Sequence, residues 1–285
     1  MIPIPIPIPT GMGHLGELAR SADMTTPTVE NGKTTYNLGK EFYTEVFKDK
    51  EGQDQLKYQT DRIQQKFLTP LPPRWAVPSG KKRVVSIACG AYHLLVCARD
   101  VGQFPIVLYT AGINNYGQLG HGDTTNRHEL TPVETLRDKN IVKAAAGEHF
   151  SVALNLVGDA VYSWGRSDYG QLGLYDEKQD SGSFEPIPQR VAFPDKTFKS
   201  YTLFKDIDAG DRHAMVITYE GEVYTWGFGE TGTTGRDLPE EADDYRPLML
   251  DVLRTYREKD EAANFKVLQA SGGGQHTLML IQRFS

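Results

Sequence analysis

A chain of 285 residues can bury a sizeable core as one large domain or two ordinary ones, which excludes a peptide-sized scaffold. Its 39% hydrophobic and 24% charged residues exclude wholesale disorder and a coiled coil, and a net charge of −6 gives no overall electrostatic reason to bind nucleic acid. The 28 Gly, together with 14 Tyr and 12 Phe, point to turn-rich β structure.

The start, Met1-Ile2-Pro3-Ile4-Pro5-Ile6-Pro7-Ile8-Pro9, lacks the basic n-region of a signal peptide, and its alternating prolines forbid the helix of an h-region. It reads as an extended tail. No run approaches about 18 apolar residues, so neither a membrane-spanning helix nor a membrane partner is expected. Lys40 to Phe67 sets Phe42/Val46, Tyr43/Phe47 and Ile63/Phe67 at helix spacing with charges between them. This predicts a helical excursion closed by Leu71-Pro72-Pro73. The basic cluster Lys81-Lys82-Arg83 reads as a strand entry. Cys89 and Cys97, on one extended stretch, would lie roughly 26 Å apart, too far for a disulfide. A reducing compartment and two small core residues are expected.

From Ala88 onward one unit recurs. Ala88-Cys89-Gly90-Ala91-Tyr92-His93, Ala146-Gly147-Glu148-His149-Phe150, Ala209-Gly210-Asp211-Arg212-His213 and Ser271-Gly272-Gly273-Gly274-Gln275-His276 place Gly90, Gly147, Gly210 and Gly273 at intervals of 57, 63 and 63 residues. Each turn precedes an apolar run that reads as a buried strand: Leu94-Cys97, Val152-Leu154, Met215-Ile217 and Leu278-Ile281. After the first three runs comes a turn and then a second strand, ending Ala111-Gly112, Trp164-Gly165 and Trp226-Gly227, and the turns Val157-Gly158-Asp159 and Glu220-Gly221-Glu222 read as hairpin connections. Asn115-Tyr116-Gly117-Gln118-Leu119-Gly120 and Asp168-Tyr169-Gly170-Gln171-Leu172-Gly173 close two units, and Glu230-Thr231-Gly232-Thr233-Thr234-Gly235 keeps only the glycines of that closure. Hairpins that cannot bury both faces alone must stack, and aromatic-Gly strand ends favour a β-propeller. Leu248 to Tyr256, within a long linker, is expected to be a short helix.

These turns, the Ser-Trp-Gly and Thr-Trp-Gly strand ends, the Tyr-Gly-Gln-Leu-Gly closures and the final Ser-Gly-Gly-Gly-Gln-His-Thr resemble the regulator of chromosome condensation repeat family. Trp226 to Thr231 and Gly273 to Thr277 look most like the exchange-factor members that act on the Ran GTPase. Gly16-Glu17-Leu18-Ala19-Arg20 looks like one more closure, with Ala19 in place of Gly. The resemblance implies a seven-bladed propeller. The expected fold is therefore all-β and incomplete, with about four blades. Residues 1–29 are a tail and remnant of an upstream blade, 30–66 a helical or irregular insertion, and 67–285 the propeller repeats. The implied reading is a truncated form of a full-length factor.

Catalytic constellations are poorly supported: the chain has no phosphate-binding loop, no His-Glu-x-x-His, no Cys-x-x-Cys and no nucleophile elbow. No cofactor, metal or small-molecule substrate is expected. His93, His213 and His276 take the same place in different repeats and so should not converge; His93 and His213 read as part-buried imidazoles bonded to neighbouring backbone. His149 sits one position earlier, on the other face of an extended segment. By resemblance, His149 and His276 lie on the face that engages Ran, with Glu148, Asp211, Arg212 and Gln275 beside them. The family's wedge and key aspartate belong to earlier repeats and are absent here. The implied activity is nucleotide exchange in the nucleus, with chromatin contact by resemblance alone. The alternative is a non-catalytic propeller module that serves as a protein-binding platform.

Overall fold

The computed structural model describes strands within 27–57 and residues 82–100, 102, 104–175, 177–193, 202–229, 232–236, 243–250 and 264–284. Four antiparallel meanders of four strands each follow one another, and a two-stranded sheet ends the series. The first comprises β1 (Pro27–Glu30), β2 (Lys33–Asn37), β3 (Tyr43–Lys48) and β4 (Asp54–Lys57). The helix expected over Lys40 to Phe67 is therefore corrected to strands where that stretch is described; Ile63/Phe67 lies outside the described residues. Residues four apart share a face in a strand as well as in a helix, and the aromatic and β-branched content of Tyr43–Lys48 tips the balance.

The repeats form three complete blades. They are β5 (Lys82–Cys89), β6 (His93–Asp100), β7 (Val107–Gly112) and β8 (Arg127–Pro132); β9 (Ile141–Ala146), β10 (Phe150–Asn155), β11 (Val161–Arg166) and β12 (Phe184–Arg190); and β13 (Phe204–Ala209), β14 (His213–Thr218), β15 (Val223–Gly227) and β16 (Asp244–Leu250). A fourth blade is represented by β17 (Asn264–Gly272) and β18 (Thr277–Phe284). The short helix expected at Leu248 to Tyr256 is corrected too: Leu248 to Leu250 ends β16, and 251–256 lies outside the described residues. The predicted hairpins are present, with Gly158 and Gly221 closing the turns onto Asn155 and Thr218.

Each blade buries its second strand against the next blade's first. Phe150, Val152 and Leu154 of β10 share one apolar cluster with Ile207 and Ala209 of β13 and with Trp226. Leu95 and Cys97 do the same with Ile141 and Ala144, and Met215 and Ile217 with Val267 and Ala270. Each fully buried Leu, Val or Ile contributes about 1.5–3 kcal/mol, so these junctions hold the series together. The tryptophans lock it further: Trp164 Nε1 donates to Gln118 O (2.8 Å) and Trp226 Nε1 to Gln171 O (3.0 Å), each reaching the closure of the preceding blade. Within the closures, Gln118 and Gln171 fold back so that Oε1 accepts the amides of Tyr116 and Tyr169. This is why Gln recurs there.

The turn glycines are demanded by space. A Cβ on Gly147 would lie 2.0 Å from the Phe150 ring, and on Gly90, Gly210 or Gly273 it would strike the ring of His93, His213 or His276 at 2.2–2.5 Å. One ring therefore stacks on one glycine in every repeat. The glycines at the ends of β7 and β15 and next to the end of β11, Gly112, Gly227 and Gly165, have a different reason, with φ between 106° and 123° beside a register shift in each ladder. The cysteines correct another expectation: they lie on paired strands of one hairpin, and Cys89 is exposed while Cys97 is buried, its thiol pushed up to about 12 by that burial.

Candidate functional site

The four repeat turns, and the closures after β7 and β11, share one face. Backbone bonds tie the turns laterally: Ala91 N to Gly147 O (3.3 Å), Glu148 N to Asp211 O (2.9 Å) and Asp211 N to Gly273 O (3.2 Å). Inside each turn the anchor glycine's amide bonds the carbonyl of the ring residue three positions on, at 2.9–3.0 Å. The side chains displayed here are thus carried by hydrogen-bonded backbone and not by free loops.

Counting from each anchor glycine, the second residue points outward and the third inward. The outward set is Tyr92, His149, Arg212 and Gln275; the inward set is His93, Phe150, His213 and His276. The one-residue offset of His149 thus turns it outward, as its register requires. His276 belongs to the other set and is exposed because no described residue lies over it. The two histidines therefore share a face of the molecule without sharing a structural position.

His149 stacks on Tyr92, with centroids 5.1 Å apart and planes 13° apart, and meets Tyr116 at 4.9 Å. The Arg166 guanidinium lies over Tyr116 (4.9 Å) and Tyr169 (5.2 Å), and Arg212 lies over Tyr169 (4.6 Å). A continuous row of three rings followed by interleaved cations and ring, Tyr92, His149, Tyr116, Arg166, Tyr169 and Arg212, thereby crosses three blades. Each cation over a ring contributes about 0.5–2 kcal/mol, depending on its desolvation. Both cations are also paired: Arg166 forks onto Asp168 with two bonds of 2.8 Å, and Arg212 Nε donates to Glu148 Oε2 at 3.1 Å.

These neighbours set the charges. Burial holds the His149 imidazole below its ordinary value; Glu148 opposes the shift, and the guanidinium charges of Arg166 and Arg212 add to it. His149 is thus neutral at pH 7. Burial raises the Asp168 carboxyl, but hydrogen bonds from Arg166 and the Gly182 amide bring it below the usual range. Asp211 and Gln275 are exposed on the turns beside this row.

Of the residues expected on this face, Glu148, His149, Asp211 and Arg212 are brought together from two blades, and Gln275 and His276 lie on the next turn. Sequence reasoning missed Tyr92, Tyr116, Arg166 and Tyr169. The signal was available, since the tyrosines of both closures and Tyr92 stand inside repeated motifs, but periodicity does not say that rings from different repeats meet. His93 and His213 are buried, and each also meets a hydroxyl of the next blade: Ser151 Oγ and Thr277 Oγ1, both at 2.9 Å. Burial lowers them to about 3 and about 4. Among the described residues no group of three His, Cys, Asp or Glu could hold a metal, and no helix is long and apolar enough to cross a membrane.

Comparison with known proteins agrees with this geometry. The family description "Regulator of chromosome condensation (RCC1) repeat" matches residues 107–154 and 159–217, and a second description of the same repeat matches 204–232. The chain is 32% identical over 211 residues to the human probable E3 ubiquitin-protein ligase HERC3, covering 73% of this chain and 17% of that protein. It is 30% identical over 182 residues to the guanine nucleotide exchange factor SRM1 of Saccharomyces cerevisiae, covering 61% of this chain and 36% of that one. The matches span well under two thirds of either relative. The crystal structure of Prp20p from Saccharomyces cerevisiae, described with its binding to Gsp1p and histones, superposes with a TM-score of 0.57 at 24% identity, over 85% of this chain and 54% of that one. The stacked blades, their repeated closures and these matches identify regulator of chromosome condensation repeats in this chain, arranged as successive blades of an incomplete β-propeller.

Proposed function

We propose that this protein is a guanine nucleotide exchange factor for a Ran-type small GTPase, which docks on the turn face described above. The observation that carries the reading is the gathering of Glu148, His149, Asp211 and Arg212 from two blades onto one hydrogen-bonded face, with Gln275 and His276 on the adjoining turn. SRM1, an exchange factor, and Prp20p, described with its binding to Gsp1p and histones, support it. Nuclear residence and chromatin contact belong to the same proposal and rest on the same relatives.

Exchange needs no covalent step. A factor that binds the nucleotide-free GTPase more tightly than the loaded one must, by linkage, weaken nucleotide binding by the same factor. Rigid side chains suit this role, because only differential affinity for the two forms shifts the equilibrium. The row of stacked rings and paired cations supplies that rigidity behind His149 and Glu148, and exposed Asp211 offers a carboxylate to a basic patch on the GTPase.

Calorimetry of the chain against Ran, nucleotide-free and GDP-loaded, tests the reading. The nucleotide-free form is expected to bind more tightly, and His149→Ala or His276→Ala to weaken it about tenfold without unfolding the chain. Equal affinity for the two forms would reject exchange. It would favour a second reading, a non-catalytic interaction platform, which the likeness to HERC3 supports.

A further inference from the structure

The turn face carries an apolar patch that the charged and polar residues of the proposed docking set do not explain. Phe184 opens β12 opposite Arg166, at the same end of the sheet as the turns, and its ring meets Tyr116 edge-on at 6.5 Å. Through Tyr116 and His149 it is continuous with Tyr92. Four rings from two blades thus lie side by side, and those at the two ends stay open to solvent, Phe184 at 40% and Tyr92 at 39%. Exposed aromatic residues gathered in one patch mark an interaction site, whereas scattered ones do not.

The surroundings fix the shape of this patch. Gly122 N donates to Pro186 O at 2.9 Å, and a Cβ on Gly117 would come within 2.5 Å of Pro186, so the closure of the first blade lies directly against β12 and sets Tyr116 beside Phe184. Pro186 and Pro188 also remove two amides from β12, an edge strand, which disfavours a partner that adds a strand there. Contact has to come from side chains. The charges nearby are already paired: Arg166 forks onto Asp168, Glu148 holds Arg212, and Glu185 accepts the Tyr175 hydroxyl. His149 is neutral at pH 7. A charged group arriving on these rings would have to break one of those pairs or lose its water without a partner. An apolar group meets neither cost.

We infer that Tyr92, Tyr116 and Phe184, with the His149 ring between them, form an apolar anchor that takes an uncharged aliphatic or aromatic side chain projecting from the GTPase. The inference rests on the reading of the turn face given above and adds to it what grips the partner at the first two blades, which is ring surface and not charge.

Calorimetry of the full chain against nucleotide-free Ran tests this through substitutions of opposite charge. Phe184→Glu and Phe184→Lys are each expected to weaken binding about tenfold, and alike within about twofold, while Phe184→Leu stays within about threefold of the parent. His149→Phe, which keeps a ring in the stack, is expected to stay within about threefold where His149→Ala loses about tenfold. The ratio of parent to Phe184→Leu and Phe184→Glu affinities should hold between about 0.05 M and about 0.5 M salt, a range that strongly screens an exposed charge pair. Tyr92→Ala, on another blade, is expected to lose about tenfold as well and covers the case in which changes in β12 disturb the sheet. Opposite effects of Phe184→Glu and Phe184→Lys would place a charged partner residue on the patch and overturn the inference, as would Phe184 and Tyr92 variants that all bind within about twofold of the parent. If the parent binds GDP-loaded and nucleotide-free Ran equally, exchange is rejected, and the same ratios, read on that common affinity, still decide the anchor. Failure to bind either form overturns both.

Discussion

Gly147 and Gly274 stand in corresponding turns of two repeats but face different neighbours. A Cβ on Gly147 would lie 2.0 Å from the Phe150 ring, with the Gly210 carbonyl behind it, so neither side can yield. On Gly274 the nearest atom is Asp211 Oδ2 at 3.2 Å, the end of an exposed side chain that can swing away. Gly147→Ala is therefore expected to cost about 1–3 kcal/mol through overpacking, and Gly274→Ala to stay within about 0.5 kcal/mol of the parent. Urea titration of both, with unchanged m-values, checks this, and equal midpoints would disprove it. At the same scale Trp164→Phe keeps most of the buried ring but leaves the Gln118 carbonyl with the Ser151 hydroxyl alone. A loss of about 1 kcal/mol on top of the packing change is expected in the same titration.

A blade junction is an element with a pH dependence of its own. Burial lowers His93 and His213 to about 3 and about 4, against 6.5 for a free imidazole. The folded state therefore resists protonation that the unfolded chain accepts. Stability is complete above about pH 6.5 and is lost progressively as the pH falls below that value toward the folded pKa values. His121, lowered to about 4 by burial and by the Arg127 charge, adds in the same direction. Replacing the first polar junction by the apolar one found next to it, as His93→Phe with Ser151→Ala, is expected to flatten the fall between pH 6.5 and 4. Unfolding midpoints in urea across that range would show a smaller decline than the parent, and an unchanged decline would assign the acid sensitivity elsewhere.

At the scale of the whole molecule, each blade touches only its neighbours, so stability accumulates junction by junction, as in repeat arrays. β10 and β14 are covered on both sides, whereas β18 has one covered face and two exposed leucines. Native-state hydrogen exchange is expected to protect the amides of Phe150–Asn155 and His213–Thr218 most, and those of Thr277–Phe284 least among the second strands. Uniform protection would mean that the sheets open as one unit. The repeat period, the strands following each turn, the hairpins and the family were legible in the sequence because they are local and recur: Gly90, Gly147, Gly210 and Gly273 announce themselves by spacing alone. The offset of His149 was legible for the same reason. The strands Tyr43–Lys48 and Asp54–Lys57 were not, since aromatic residues four apart in the first fit either periodicity. The stacking of His149 between Tyr92 and Tyr116, the passage of Arg166 between two tyrosines, and the pairing of His93 with Ser151 were decided only by the tertiary structure. Those partners come from different repeats, and their meeting depends on how far one blade is rotated against the next, a quantity that no single repeat encodes.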